Sequence, residues 1–156
     1  PLVSTLEAYF QGKKDLFGGL AMERWEKDWE SYLVLHIDFS LTKYMELTDL
    51  TGQLNLFLHR WEKIYGKDEA EKTASERLQG IILRASEQIG KQVVVLIDEY
   101  DAPLLDSNSD TALQQQLRNE MRKFFSPPQE VGAVSSLSLH HRHQQVQPTE
   151  HLQRTE

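Results

Sequence analysis

Three carboxylates directly after a short apolar run are the residues of this chain best placed to do chemistry. The run Val93–Ile97 reads VVVLI, and Asp98, Glu99 and Asp101 follow it. Carboxylate oxygens are ligands that Mg²⁺ prefers, and a carboxylate beside a water molecule can act as its general base. In this interpretation, Asp98 lies beside a metal ion and Glu99 faces an attacking water.

The same residues allow two interpretations. An apolar strand that ends in Asp-Glu is the Walker B pattern of nucleotide hydrolases, in which the first carboxylate lies beside the Mg²⁺ that bridges the β- and γ-phosphates. An Asp at a strand end also caps loops or helices, and Asp101 before Ala102-Pro103 suits a turn. Asp38 follows a second apolar run, and we expect a structural role for it. The pattern alone leaves both interpretations open.

The elements that must position these carboxylates are two strands among helices. Consecutive apolar residues are typical of a strand that is covered on both faces, as in a parallel sheet. The predicted strands are Leu33–Ser40 and the run at 93–97, and the predicted helices are Leu2–Gln11, Leu47–Tyr65, one from the Thr73 capping box to Gly90, and one from about Asp110 to Phe125. The order of elements predicts an α/β fold with a parallel sheet and flanking helices.

Periodicity predicts which side chains form the core. The two long helices should bury Leu50, Leu54, Phe57, Leu58, Trp61, Ile64, Tyr65, Leu78, Ile81, Ile82, Ala85 and Ile89. A polar stretch before the first strand carries the apolar anchors Leu16, Phe17, Leu20, Trp25 and Trp29. The run KDEAEK, at 67–72, is interpreted as a solvated loop.

Bulk composition excludes several classes of protein. The net charge of −7 gives no direct nucleic-acid signal, and no apolar run approaches the roughly 20 residues of a membrane span. The chain has no Cys, which excludes disulfide and thiolate chemistry. We expect a cytoplasmic protein with no membrane partner.

The character of the sequence changes after Ser126. Residues 127–156 contain no aromatic residue and no Lys, but four of the six His. We expect a disordered, non-homologous tail, because so little apolar surface cannot offset the entropy of ordering the chain. Within the tail, HHRH at 140–143 lacks the fixed geometry of a metal site.

Quoted in order, STLEAYFQGKKDLFGGL, EKDWESYLVLHIDFS, RWEKIYG, SERLQGII and VVVLIDEYDAPLL resemble the AAA-ATPase-like domain family from about Leu2 to Phe125. Its members are prokaryotic P-loop ATPase domains that often precede a PD-(D/E)XK nuclease-like domain. The resemblance implies a P-loop fold, ATP and Mg²⁺. It also implies that Asp98 is the carboxylate on the Mg²⁺ side, acting through water, and that Glu99 is the catalytic, water-activating residue.

The chain departs from the family pattern at both ends. In the family, a Gly-rich loop ending in Gly-Lys-Ser or Gly-Lys-Thr precedes the helix that begins here at Leu2, yet G-x-x-x-x-G-K-[ST] occurs nowhere in the chain. After residue 126 we find no counterpart of the family's next core strand. We therefore expect a fragment, residues 1–126, that keeps about two strands, exposes the apolar edge of the strand at 93–97, and is inactive by itself.

Two other functions remain open. The first is a non-enzymatic interaction module that binds a partner through the surface around Trp25 and Trp29. The second is a nuclease in which Asp38, Asp98 and Glu99 bind Mg²⁺ directly, although no suitably spaced Lys follows these carboxylates. Nuclease activity would need the metal alone, whereas ATP hydrolysis needs the nucleotide.

Overall fold

A computed structural model describes residues 2–126 of the chain and the backbone of 135–138. Six α-helices and three strands make up the described part. They are α1 (Leu2–Phe10), α2 (Ala21–Trp25), β1 (Leu33–Asp38), α3 (Leu47–Tyr65), α4 (Ala74–Ile89), β2 (Val93–Asp98), α5 (Ala102–Asp106), α6 (Thr111–Phe125) and β3 (Ser135–Ser138). Two short 3₁₀ helices lie at Lys14–Phe17 and Phe39–Leu41.

Local capping signals fix the ends of the long helices. The predicted capping box of α4 is confirmed, since Glu76 N–H donates to the Thr73 hydroxyl and Thr73 N–H donates to the Glu76 carboxylate. Gly90 ends α4 in the left-handed conformation, with φ of 69°. A second capping box, between Glu46 and Asp49, begins α3 and is absent from the sequence prediction.

The three strands form one parallel sheet in the order β1-β2-β3, with β2 in the centre. The register pairs Leu33 with Val93 and continues without a break to Asp38 opposite Asp98. On the other side of β2, Val94 pairs with Ser135 and the pairing runs to Ile97. All of Val93–Ile97 is buried, as the sequence predicts.

Helices cover both faces of the sheet. On one face, α3, α4 and α6 enclose the main core, which includes Leu35, Ile37, Val93, Val95, Ile97, Leu54, Leu58, Ile81, Leu117 and Met121. On the other face, α1 packs against a smaller cluster made by Val3, Val94 and Leu96, with Leu6, Phe10, Tyr32 and Val34 at its margin. The two faces explain why β2 is apolar on consecutive residues rather than on alternate ones.

Several predicted core residues are exposed. The side chains of Ile64 and Ile89 lie at the edges of their helical stripes and face solvent, as do Leu16, Leu20 and Trp25 among the predicted anchors. Phe17 alone of those anchors is fully buried. Periodicity marks the correct face of a helix, but the width of that face depends on the neighbours that cover it.

The sequence analysis expects a disordered tail from residue 127, but Ser135–Ser138 of that tail form β3. Backbone hydrogen bonding pairs β3 with β2, so the edge of β2 on this side is not exposed, and the sheet has three strands rather than two. Short-range periodicity missed β3 because its sequence, SSLS, carries one apolar residue and is paired through its backbone. The other predictions about the tail, including HHRH at 140–143, fall outside the described residues.

Within the described ranges, no helix is both long and apolar enough to cross a membrane. The longest, α3, has 19 residues but is apolar along one stripe, which faces the core.

Candidate functional site

The carboxyl ends of β1 and β2 bring two predicted site residues to one edge of the sheet. Asp38 and Asp98 are directly paired in the parallel register, so their Cα atoms are separated by one strand spacing of about 4.8 Å. Both side chains are partly exposed at this edge. In open α/β sheets, ligands bind outside the carboxyl ends of the strands, which is where the structure places this pair.

Asp98 ends its strand with a local hydrogen bond. Its Oδ1 accepts from the backbone N–H of Glu99 at 3.0 Å, which fixes the orientation of the carboxylate. The carbonyl of Glu99 in turn accepts from the N–H of Ala102 at 2.9 Å, at the start of α5. The chain therefore turns sharply from a buried strand into a short helix, with Asp98 and Glu99 at the turn.

Glu99 has a backbone conformation that side chains seldom adopt. Its φ is 50°, and it is the non-glycine residue with positive φ in the described part of the chain. The left-handed conformation costs an L-residue about 1 kcal/mol or more. Such strain is concentrated at functional sites, where it aims a side chain. The Glu99 side chain is partly exposed at this turn.

Asp38 has a structural role, as the sequence analysis expects. Its Oδ1 accepts from the backbone N–H of Ser40 at 2.8 Å and so caps the 3₁₀ helix that follows β1. One oxygen of this carboxylate is therefore committed to its own turn. Asp38 thereby stabilises the turn that follows β1, beside Asp98.

Hydrogen bonds between the segment after β1 and the end of α5 stabilise this edge; we call them the tie through Asp106. Asp106, at the end of α5, accepts from the backbone N–H of Tyr44 at 3.2 Å and from Lys43 Nζ at 3.1 Å. The Tyr44 hydroxyl donates to the carbonyl of Phe39 at 2.9 Å. Burial raises the pKa of Tyr44, and the charges of nearby Asp106 and Asp38 raise it further, so the hydroxyl stays a proton donor. The loops after β1 and β2 are thus locked together.

The side chain of Asp101 contains an unsatisfied atom. Its Oδ1 is buried and has no hydrogen-bond partner among the described residues. A buried acceptor without a donor costs about 1–3 kcal/mol. This oxygen is therefore an acceptor that no donor within the described residues satisfies.

The carboxylate oxygens at this turn suit a Mg²⁺ ion that keeps several of its water ligands. Mg²⁺ keeps several of its waters and binds through one or two carboxylates together with phosphate oxygens. Asp98 offers such a carboxylate, and the unpaired Oδ1 of Asp101 is a further acceptor nearby in the chain. In contrast, the described residues include no group of three or more His, Asp or Glu placed to hold a metal ion. The three-carboxylate arrangement of the nuclease alternative is therefore not formed there.

Two arginines of α4 form ion pairs with glutamates outside the carboxyl edge of the sheet. Arg77 donates to both oxygens of Glu62, at 2.6 and 3.0 Å, and Arg84 donates to both oxygens of Glu71. These pairs link α4 to α3 and to the loop between them. The glutamate of the second pair, Glu71, belongs to the run KDEAEK, which is therefore not the fully solvated loop that its composition predicts.

The sequence analysis did not predict the contacts and the backbone conformation that position the carboxylates at this edge. The bonds of Asp106 to Lys43 and Tyr44 join positions more than sixty residues apart, and no local pattern announces them. The positive φ of Glu99 has no composition signal either, because Gly or Asn would be the expected residue there. The catalytic assignments of Asp98 and Glu99 stay predictions.

Comparison with known proteins gives one family. The family model described as "Predicted AAA-ATPase" matches residues 2–137 of the chain. The match extends 11 residues past the boundary at 126 and reaches into β3. It therefore includes a segment that the sequence analysis treats as non-homologous.

The chain is also similar to a curated protein of uncharacterised function. The "Uncharacterized protein in vnfD 5′region" of Azotobacter chroococcum mcd 1 is 32% identical over 126 residues, which are 80% of this chain and 24% of that protein. The chain thus spans about a quarter of the length of this relative. No solved structure matches significantly.

Proposed function

The chain belongs to the predicted AAA-ATPase family, and we propose that it supplies the carboxylate half of an ATP-hydrolysing site. In this proposal Asp98 binds Mg²⁺ through water, and Glu99 activates the water that attacks the γ-phosphate. The observation that carries the proposal is the turn at the end of β2. There a fully buried central strand delivers Asp98 and then Glu99, which is held at a positive φ.

The sheet supports a P-loop type of fold for the parent domain. In P-loop ATPases of this kind the Walker B strand pairs with the sensor strand, which pairs with the P-loop strand. We assign β2 to the Walker B strand and β3 to the sensor strand, because β3 pairs in parallel with β2. The outer edge of β3 is then the position at which a P-loop strand would add to the sheet.

Each carboxylate has a distinct task in this reaction. Mg²⁺, when bound, supplies positive charge that stabilises the phosphoryl group during transfer. Asp98, oriented by the Glu99 N–H, would hold Mg²⁺ through one of the waters of the ion. Glu99 would accept a proton from the attacking water at its carboxylate oxygen. The tie through Asp106 keeps α5, and with it the turn, in a fixed position.

The phosphate contacts are the part that these 156 residues do not provide. The Gly-rich loop of a P-loop protein uses backbone N–H groups and a Lys to hold the phosphates, and the chain has no such motif. We therefore expect the chain by itself to bind ATP poorly and not to hydrolyse it. Activity is expected in a protein where such a loop precedes the helix that begins at Leu2. A nuclease-like domain in the parent protein stays a proposal that rests on resemblance.

A second function, protein binding, is favoured by one observation. Trp25 is 79% exposed, and Leu16 and Leu20 nearby in the sequence are also exposed. Exposed apolar side chains close together mark surfaces that bind other proteins. This function needs no nucleotide and is compatible with the first.

A chimera tests the catalytic proposal on the residues of this chain. The Azotobacter relative is expressed with residues 2–137 of this chain in place of its matching segment, and ATP hydrolysis is measured with Mg²⁺. We expect activity, and Glu99→Gln should lower its rate by about 100-fold or more, as loss of a general base does. Asp110→Asn is the matched control, because it removes a carboxylate but keeps an N-cap for α6.

Two results would contradict the proposal. The first is a chimera with Glu99→Gln that hydrolyses ATP as fast as the parent chimera. The second is a folded but inactive chimera beside an active Azotobacter protein. In that case the segment of this chain does not supply the carboxylate half of the site.

A further inference from the structure

A cleft with aromatic walls and an acidic rim lies between α1 and the segment that leads into β1. Its volume is about 220 Å³. It is lined by Tyr9, Glu26, Asp28, Trp29, Glu30 and Tyr32. No part of the candidate nucleotide site contributes to it.

Ring packing holds the aromatic walls in place. Trp29 packs against Phe17, with ring centroids 5.1 Å apart, and meets Tyr9 edge to face at 5.8 Å. Tyr32 meets Phe10 edge to face at the same separation of 5.8 Å. Because Phe17 is buried and Phe10 lies on α1, these contacts anchor the walls to the folded domain. A ligand in the cleft would therefore meet rings that are already positioned.

The carboxylates on the rim are held by neutral donors. The Tyr9 hydroxyl donates to Glu26 Oε2 at 2.6 Å, and the Tyr32 hydroxyl donates to Glu30 Oε2 at 2.8 Å. The backbone N–H of Asp28 donates to Glu26 Oε1 at 3.2 Å. These bonds fix the carboxylates without cancelling their charge. The Tyr9 bond also holds the pKa of Glu26 below its usual value, so that this rim carboxylate is ionised at neutral pH.

No cation of the described chain neutralises this rim directly. The six lining residues include no Lys or Arg, and the ion pairs formed within residues 2–126 involve other carboxylates. Lys27, between Glu26 and Asp28, is exposed and forms no ion pair within the described residues. Lys91 Nζ donates to the Ser31 hydroxyl at 2.9 Å rather than to a rim carboxylate. Three carboxylates therefore face the cleft with no paired positive charge.

We propose that this cleft binds the guanidinium or ammonium group of an Arg or Lys side chain presented by another protein chain. A cation is attracted to the face of an aromatic ring, and an Arg can also pair with a carboxylate through two parallel hydrogen bonds. The cleft offers both kinds of contact around one volume of side-chain size. Charge complementarity thus selects a basic group as the occupant.

Neighbouring apolar surface favours a protein over a free cation. Glu26 directly follows α2, in which Trp25 is 79% exposed and Met22 is also exposed. The buried indole N–H of Trp29 has no acceptor among the described residues, and a peptide carbonyl could accept from it. A peptide with apolar residues beside its basic residue would use all these groups, whereas a small cation would use the rim alone.

The cleft is separate from the carboxylate edge that we assign to nucleotide chemistry. It adjoins Tyr32, just before β1, whereas Asp38 ends that strand about 20 Å further along at roughly 3.3 Å per residue. Binding at the cleft requires neither ATP nor Mg²⁺. The two proposals can therefore fail independently.

Peptide binding to the 156-residue protein tests the proposal. The probe is the peptide acetyl-Ala-Leu-Arg-Leu-Ala-amide. Its binding is measured by calorimetry and by the change in Trp fluorescence, in the absence of nucleotide. A peptide with citrulline in place of Arg is the matched neutral ligand, and spermidine is the free-cation ligand. The test variant is the double substitution Glu26→Gln and Glu30→Gln, which removes two charges but keeps an acceptor for each Tyr hydroxyl. Glu23→Gln is the control, because Glu23 accepts from Gly19 N–H outside the cleft.

We expect the Arg peptide to bind about tenfold or more tighter than the citrulline peptide, and the double variant to lose about tenfold in affinity. The Glu23→Gln control should bind like the parent protein. Three results would overturn the proposal: the parent protein binds the Arg and citrulline peptides equally tightly, the double variant binds the Arg peptide as tightly as the parent protein does, or the Arg peptide does not bind. Spermidine binding as tightly as the Arg peptide would overturn the choice of a protein partner. If the double variant loses its far-UV helical signal, Asp28→Asn replaces it with the same criteria.

Discussion

The polar groups between α3 and α4 are paired, whereas those at the carboxyl edge of the sheet are strained or lack a partner within the described residues. Between α3 and α4, the buried Glu62 is paired through both oxygens with Arg77, and each helix begins with a capping box. At the sheet edge, Glu99 is held at a positive φ, and a buried oxygen of Asp101 has no hydrogen-bond partner in the part of the chain that the structure describes. The helical pair is built for stability, whereas the edge holds strain and unmet hydrogen bonds that stability alone would not select.

The largest effect should come from breaking the buried pair of α3 and α4. Arg77→Met leaves the Glu62 carboxylate, whose side chain is 5% exposed, without its cation. We expect the free energy of unfolding, measured in urea, to fall by about 3 kcal/mol, because an uncompensated buried charge is costly. The control is Lys67→Met, which breaks an ion pair whose glutamate is 88% exposed and should cost less than about 0.5 kcal/mol. If Arg77→Met and Lys67→Met lower the free energy of unfolding equally, the buried pair is not the stabilising interaction that we describe.

The same pair predicts a dependence of stability on pH. The hydrogen bonds from Arg77 hold the pKa of Glu62 below its usual value in the folded protein. The unfolded state therefore binds more protons in acid, so stability is full above the ordinary Glu pKa of about 4.3 and is lost as pH falls through the lower folded pKa. Urea midpoints between neutral pH and acid should fall less steeply in Arg77→Met. An unchanged slope would show that Glu62 does not carry this effect.

Replacing each of two glycines in α3 and α4 by alanine should change the stability of the protein in opposite directions. A Cβ at Gly80 of α4 would overlap the carboxylate of Glu71, which pairs with Arg84. Gly80→Ala should therefore destabilise the protein by about 1–2 kcal/mol, as overpacking does. Gly52 of α3 has nothing near its missing Cβ, so Gly52→Ala should stabilise by about 0.5–1 kcal/mol through helix propensity. Chemical denaturation of both variants checks the signs, and matching signs would contradict the packing at Gly80.

The smallest of these effects tests the strain at the sheet edge. Glu99→Gly replaces the residue at φ of 50° by one that adopts this conformation freely, so stability should rise by up to about 1 kcal/mol. The control is Glu87→Gly on the exposed face of α4, which should lose about 1 kcal/mol. Thermal and urea unfolding measure both changes. A loss at Glu99 as large as that at Glu87 would show that the turn is not strained.

The difference between the two regions also explains what the sequence could predict. The bounds Leu47–Tyr65, the Thr73 cap and the Gly90 end of α4 all follow from residues within one or two turns of each other, and the structure confirms them. The placement of Asp98 at a strand end was equally local. These signals require no knowledge of distant neighbours.

What escaped prediction depends on contacts between distant segments. The apolar Ile64, Ile89 and Trp25 lie on or near predicted core faces but find no covering neighbour, and no sequence pattern states which neighbour is present. The pairing of β3 with β2 and the tie from Asp106 to Lys43 are of the same kind. The positive φ at Glu99 contradicts the local preference of a glutamate, and such contradictions are expected at functional sites.

Titration of Mg-ATP into the purified 156-residue chain, with a far-UV spectrum as a check of folding, tests the central claim most directly. The claim is that the chain holds Asp98 and Glu99 in place but has no group that binds the phosphates. It predicts a helical spectrum and no measurable heat of binding beyond dilution. Tight binding that is lost in Asp98→Asn would contradict it, because the carboxylate edge would then belong to a complete nucleotide site that works without a Gly-rich loop.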